Sequence, residues 1–195
     1  MSAKVIRIKP GFEDPSTSGT SAQAPESRPI TAIGPRVALA GFLARDLMQV
    51  HAYTSDPEVC RYSLWGPNTL AETESFIADA MIARPGRMMT AVMMEGKVIG
   101  SAAIWRTDDT GLVGEMGYTL NQDYWGQGLA TEVAGLLISI GREKLGLRRI
   151  EATCDPQNAA SIRVLEKSGF ALIQRRPIAN KSNSCRSESL VFALG

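Results

Sequence analysis

At 195 residues, with 44% hydrophobic side chains, the chain is long enough to enclose one core and short for two. Lysine plus arginine number 21 against 20 for aspartate plus glutamate, so net charge gives no argument for nucleic acid or a membrane surface as partner. The three cysteines, Cys60, Cys154 and Cys185, fit neither a CxxC pair nor a zinc spacing; they read as idle thiols of a reducing compartment, and no metal site is expected. No apolar signal core opens the chain and no apolar run reaches bilayer length, which makes a cytoplasmic location the expectation.

In chain order, KVIRIK at residues 4–9 fits a short strand laid on a neighbour. Residues 10–29, PGFEDPSTSGTSAQAPESRP, are dominated by Pro, Ser, Thr, Gly and Ala. Such a segment buries too little apolar surface to offset its ordering entropy. Residues 1–29 are therefore expected to form a flexible N-terminal extension, and 30–195 a single domain. PRVALAGF (35–42) reads as a strand and ARDLMQVHAYTSD (44–56) as a helix stopped before Pro57. Thr69 can cap a second helix over LAETESFIADAMIA, ended by Pro85-Gly86. MMTAVMMEGKVIGSAAIWR (88–106) places two apolar runs around Glu95-Gly96, a hairpin signal. Met88, Met89, Met93 and Met94 in the first run read as core gap-fillers.

LVGEMGYTL (112–120) is the next strand, followed by YWGQG (124–128) and a helix whose Leu129, Val133, Leu136, Leu137 and Ile140 share a face. Leu147–Cys154 is again a strand, Asn158 to Ser168 a short helix closed by Gly169, and FALIQ and SLVFAL two final strands. The unit from Leu112 to Cys154 has the length of a crossover between parallel strands, whereas the hairpins make the remainder antiparallel. The expected fold class is a mixed α/β sheet.

Glycines bunched ahead of a helix bring backbone close to a ligand, most often phosphate. Three phosphate-binding designs compete for YWGQGLATE. The dinucleotide fingerprint G-x-G-x-x-G fails because Thr131 stands at its third glycine. The P-loop fails because no lysine follows Gly128 before Lys144. The acyl-CoA loop, (Q/R)-x-x-G-x-(G/A), fits at its last two signature positions, Gly128 and Ala130, with Trp125 at the first.

Here the chain resembles the GNAT superfamily of N-acetyltransferases, and within it the RimJ/RimL type, in which W-G-x-G-x-A-[ST]-E is common. EMGYTL resembles the strand that precedes the loop in that family. DPQNAASIRVLEKSGF (Asp155 to Phe170) resembles its N-x-x-S-x-x-[VL]-x-E-K-x-G-F segment, and TSDPEVCRYSLWGP (Thr54 to Pro67) its S-D-P-E-V…W-x-P stretch. The resemblance spans about residues 34–194 in order and spacing. It implies a mixed, mostly antiparallel sheet with one splayed parallel pair and flanking helices, and acetyl-CoA as acetyl donor.

The loop has a reading of its own beside the resemblance. Backbone N–H groups of Gln127, Gly128, Leu129, Ala130 and Thr131, at the positive end of a helix, can cradle a pyrophosphate without cationic side chains. Gly126 and Gly128 would remove the Cβ atoms that block close approach, the alternative being glycines that serve only a tight turn. By the resemblance, Tyr118, Thr119 and Leu120 lie along the pantothenate arm, mostly through main-chain groups.

Asn158 reads as an N-cap from its type and position, and as a ligand of the same arm from the resemblance. A departing thiolate needs a proton or a hydrogen bond. Many GNAT enzymes supply it from a Tyr seven positions beyond the Asn, but that place holds Leu165. RimL-like members use the Ser three beyond it, here Ser161, whose plain alternative is a polar residue in a first helical turn. Glu115 alternates against Met116 and Tyr118 and so points off their face; it is the candidate base, or else a solvated or salt-bridged carboxylate. Tyr62 and Trp65 fall where the family lines its acceptor side, core anchoring being the other reading. His51, the only histidine, reads as structural.

These readings converge on direct acetyl transfer to a primary amine, a protein N-terminus as for RimJ/RimL relatives. A small-molecule amine, such as an antibiotic or polyamine, is the alternative acceptor. With a pKa near 8, roughly a tenth to a fifth of an α-amine is neutral at pH 7, against well under a thousandth of a lysine amine near about 10.4. The rival from another class is a non-catalytic acyl-CoA sensor, kept open by Leu165. Dimers are common in the family, so a homodimer is a possible assembly.

Overall fold

The computed structural model describes residues 27–177 and 188–195. Within them, eight strands form one sheet in the order β1-β2-β3-β4-β5-β6-β8-β7. The strands are β1 (Ile30–Ile33), β2 (Ala38–Ala40), β3 (Arg87–Met94), β4 (Lys97–Arg106), β5 (Val113–Leu120), β6 (Arg149–Cys154), β7 (Ala171–Pro177) and β8 (Glu188–Leu194). Every neighbouring pair is antiparallel except β5 and β6, which the helix α4 (Leu129–Glu143) connects as a crossover. This is the mixed, mostly antiparallel sheet expected from the sequence.

The helices divide between the two faces. α4 and α5 (Ala159–Lys167) cover one, where Leu129, Val133, Leu137 and Ile140 meet Ile99, Ile104, Met116 and Tyr118. α1 (Leu47–Thr54) and α3 (Leu70–Met81) cover the other, where Val50, Tyr53 and Ile77 meet Ala91 and Val98. The period of two sends Met88 and Met94 to the first core and Met89 and Met93 to the second. Leu136, expected on the buried stripe, is only half-buried at its margin.

Local chemistry explains most boundaries. Thr69 and Glu72 form a reciprocal capping box at α3. Glu95 (φ 50°) and Gly96 (φ 77°) make the tight turn that pairs Met94 with Lys97. Pro57 both ends the preceding helical run and starts a further helix, α2 (Pro57–Cys60), whose N-cap Asp56 accepts from the Glu58 N–H at 2.8 Å. His51 is structural in geometry, its Nδ1 lying 3.0 Å from Thr73 Oγ1 so that α1 is tied to α3.

Three expectations change. The helix expected over 44–56 is a 3-10 turn (Ala44–Asp46) followed by α1. The strand expected over 35–42 shortens to β2, and its edge partner β1 carries little sequence signal because Ile30 and Ile33 are exposed. KVIRIK, Cys185 and residues 10–26 lie outside the described residues. Arg28, assigned from composition to the extension, belongs to the folded body. Its Nη1 and Nη2 donate to the two carboxylate oxygens of Asp46 at 2.8 and 2.5 Å, and Nη1 also reaches the Gly41 carbonyl at 2.7 Å. Asp46 is 1% exposed, so this guanidinium is the counter-charge of a buried carboxylate. Arg28→Ala, which strands that charge, should destabilise the protein by about 3 kcal/mol, read as a lower urea midpoint at unchanged slope.

Candidate active site

The site begins where the two parallel strands part. β5 and β6 pair only at Val113–Arg149, Gly114–Ile150 and Glu115–Glu151, so beyond Glu115 the β6-facing edge of β5 has no strand beside it. The other edge remains paired to β4 as far as Leu120. The main chain of Met116 to Leu120 thus presents an open row of peptide groups, as the resemblance implies.

The glycine loop closes the top of this opening. Gly126 and Gly128 have φ of +76° and +78°, the left-handed region that favours glycine. A Cβ at Gly126 would meet no protein atom within 4 Å, so conformation and not crowding by the protein dictates glycine there. Trp125 donates its indole N–H to the Leu120 carbonyl at 2.8 Å, which pins the loop to the end of β5. This gives the Trp at the first signature position a mechanical role.

A long-range contact fixes the other side of the loop. Glu132, in the first turn of α4, accepts from the backbone N–H groups of Arg36 and Val37 at 2.7 and 3.0 Å and from Arg36 Nε at 3.0 Å. Arg36 Nη1 also donates to the Gln127 carbonyl at 2.8 Å. Partial burial works against ionisation of Glu132, but these hydrogen bonds and the Arg36 charge outweigh it and hold the carboxyl below its ordinary range. Of the five N–H groups expected to face a phosphate, that of Thr131 is engaged by the Gly128 carbonyl at 3.1 Å. Those of Gly128, Leu129 and Ala130 make no hydrogen bond among the described residues and sit at the positive end of α4.

α5 supplies the third wall. Asn158 caps it through Oδ1, which accepts from the Ser161 N–H at 3.1 Å, the role its residue type suggests. Ser161 is 3% exposed. It lines a cavity of about 270 Å³ together with Tyr118 and Leu120 of β5 and with Gly126, Gly128, Leu129, Ala130 and Thr131 of the loop. Trp125, met at the first signature position, also lines it, and sequence reasoning did not single out Tyr124, Ala160, Arg163, Val164 and Lys167, which complete the lining. Ala160, Arg163, Val164 and Lys167 recur at helical spacing along one side of α5, the signal that could have identified them. Two cations, Arg163 and Lys167, thus stand beside a loop read as working without cationic side chains.

The remaining candidates lie outside that lining. Thr119 is 2% exposed and alternates to the opposite face from Tyr118. The Gln127 side chain donates to the Asp123 carbonyl at 3.3 Å. Glu115 is half-buried at the point of divergence, on the face opposite Met116, and accepts a hydrogen bond from Thr153 Oγ1 at 3.0 Å. In the loop between α2 and α3, Tyr62 has the Arg61 guanidinium 5.4 Å from its ring centroid. Ser63 Oγ and Trp65 Nε1 are buried there without a hydrogen-bond partner among the described residues. Cys60 is a buried thiol that donates to the Thr54 carbonyl at 3.3 Å, and burial, aided by Asp56, pushes it up to about 12, well away from nucleophilic use.

The Glu132 contact makes a pH prediction. A carboxyl depressed in the folded state stabilises above its unfolded value near about 4.3 and loses that contribution as pH falls. The stability advantage of the wild type over Glu132→Gln should be full above about pH 5 and shrink through about pH 4. Urea unfolding curves across that range measure it, and a difference independent of pH would contradict it.

A family model for the acetyltransferase (GNAT) domain matches residues 36–171, more than half of the chain. The uncharacterized N-acetyltransferase p20 of Bacillus licheniformis is 32% identical over 123 residues, 60% of this chain and 69% of that protein. A GNAT-family acetyltransferase from Bacillus anthracis has a structure that superposes with a TM-score of 0.75 at 28% identity, covering 85% of this chain and 96% of that one. RimL, described as a ribosomal protein alpha-N acetyltransferase in complex with coenzyme A, shares the fold at a TM-score of 0.74 and 18% identity, over 85% of this chain and 97% of its own. With the parted strand pair, the glycine loop and the match over residues 36–171 in place, the chain belongs to the GNAT family and is an N-acetyltransferase.

Proposed function

We propose that the protein transfers an acetyl group from acetyl-CoA directly to a protein N-terminal α-amine, in the manner of a RimJ/RimL-type enzyme. The observation that carries this reading is the loss of β5–β6 pairing after Glu115 beside a cavity lined by the glycine loop and Ser161. The open peptide edge of Met116–Leu120 suits the amide-bearing pantothenate arm as an added strand. The N–H groups of Gly128, Leu129 and Ala130 suit the pyrophosphate, with Arg163 and Lys167 adding positive charge. RimL, which shares the fold, is named for an alpha-N-protein substrate and was solved with coenzyme A.

Two sides of the reaction fall to two faces of the sheet. Glu115 stands on the face of α1 and α3, where an amine approaching past the α2–α3 loop would lose its proton to it, directly or through water. Ser161 stands on the α4–α5 side, where the thiolate leaves. Ser63 Oγ and Trp65 Nε1, which have no hydrogen-bond partner among the described residues, with Tyr62 beside them, suit contacts to the acceptor's polar groups.

Release of free CoA from acetyl-CoA against a panel of N-terminal peptides, polyamines, aminoglycosides and amino acids tests the reading. Turnover should favour the peptides, be abolished by Gly128→Glu and fall roughly 100-fold in Ser161→Ala. Glu115→Gln should lower the rate most below the amine's own pKa, the loss narrowing as rising pH neutralises the amine without help. Turnover on a small-molecule amine alone would reassign the acceptor. Tight acetyl-CoA binding with no release on any amine would favour the sensor.

A further inference from the structure

The resemblance implies a main-chain role for Tyr118 along the cofactor arm, but its side chain is unusual in its own right. The residue is 4% exposed, and its hydroxyl is fully buried without a hydrogen-bond partner among the described residues. Tyr118 lines the same cavity as Ser161, on the stretch of β5 that has parted from β6, with its hydroxyl sealed behind the cavity wall. Burying an unpaired hydroxyl is unfavourable, and phenylalanine would fill the same space without that cost. Tyr53, also buried, has Ser101 as a side-chain hydrogen-bond neighbour, belongs to the opposite core and does not share this cavity.

We propose that the Tyr118 hydroxyl donates a hydrogen bond to the sulfur of the acetyl donor and stabilises it as the thioester breaks. This inference rests on the acetyl-CoA reading above. In the step, the amine nitrogen forms the C–N bond and the C–S pair leaves on sulfur. The proton lost by the amine passes to Glu115 or solvent, and the thiolate takes its proton from the Ser161 side or solvent. Tyr118 keeps its own proton throughout. Burial, with the Cys154 thiol adding to it, pushes the phenol well above the ordinary tyrosine range. The group is thus a hydrogen-bond donor at any working pH and a poor source of a transferred proton. Sulfur is the atom to which such a donor matters most: the amides of the arm can pair with the open backbone of β5, whereas the sulfur becomes charged only as the bond breaks.

Tyr118→Phe is the test. In acetyl transfer, kcat should fall about 10–100-fold while KM for acetyl-CoA stays within about threefold. The ultraviolet thiolate absorbance of CoA bound to the enzyme should titrate about one pH unit higher in the variant than in the wild type. The ligand-free variant should melt about 2–4 °C above the wild type. An unchanged kcat with an unchanged bound-thiol titration would reduce Tyr118 to packing. A raised KM with unchanged kcat would assign it to ground-state binding of the arm; either result overturns the proposal. Should the variant fail to fold, fluorotyrosine at position 118, a stronger donor of nearly the same shape, should lower the bound-thiol titration, and no shift would overturn the proposal. If the wild type binds CoA yet acetylates no amine, the proposed function fails, and the bound-thiol titration still decides the role of the hydroxyl.

Discussion

Everything in the site depends on the brevity of one strand pairing. β5 and β6 share three residue pairs and then separate, although both strands run on. Peptide groups deprived of a neighbouring strand inside a covered sheet are unfavourable unless a ligand pairs with them. The surrounding architecture supports the parting. β5 stays fastened to β4 along its whole length, and β6 is held by five residue pairs to β8. α4 and α5 each follow one arm of the fork, so the glycine loop and Ser161 come to face a common cavity from opposite sides.

The loop itself is held from outside. Trp125 anchors it to the last carbonyl of β5, and the Arg36–Glu132 contact anchors it to the turn between β1 and β2. With the loop so held, the N–H groups of Gly128, Leu129 and Ala130 have no acceptor among the described residues. The phosphate site proposed here needs a backbone already set in place, since its donors are fixed peptide groups and cannot swing to meet a ligand as a lysine can. The proposed separation of the reaction over two faces has the same origin. Glu115 lies at the divergence and alternates against Tyr118, so strand geometry alone puts a carboxylate on one side and a hydroxyl on the other.

The sequence made legible what short-range chemistry decides. The Thr69–Glu72 box, the Glu95-Gly96 turn, the α4 stripe and the Asn158 cap each depend on residues a few positions apart. What it concealed depends on distance along the chain or on weak pattern. Arg36 and Glu132 are 96 positions apart, and nothing local couples them. Arg28 sits in a stretch whose composition suggests a tail, yet a single buried carboxylate recruits it. β1 is four residues with exposed isoleucines, too short for alternation to register. The cavity-facing cations of α5 read as an ordinary solvated helix face until the loop is placed against them. The resemblance points to the main chain of Tyr118, and nothing in the sequence marks its side chain as buried without a partner among the described residues.

Amide hydrogen exchange with and without acetyl-CoA tests the central claim most directly, because it reads the backbone that the claim concerns. If the donor enters the fork as an added strand, acetyl-CoA should slow exchange in the peptides covering Met116–Leu120 and Gly126–Ala130, with β3 and β7 unaffected. Binding of acetyl-CoA with no protection of those two segments would contradict the account.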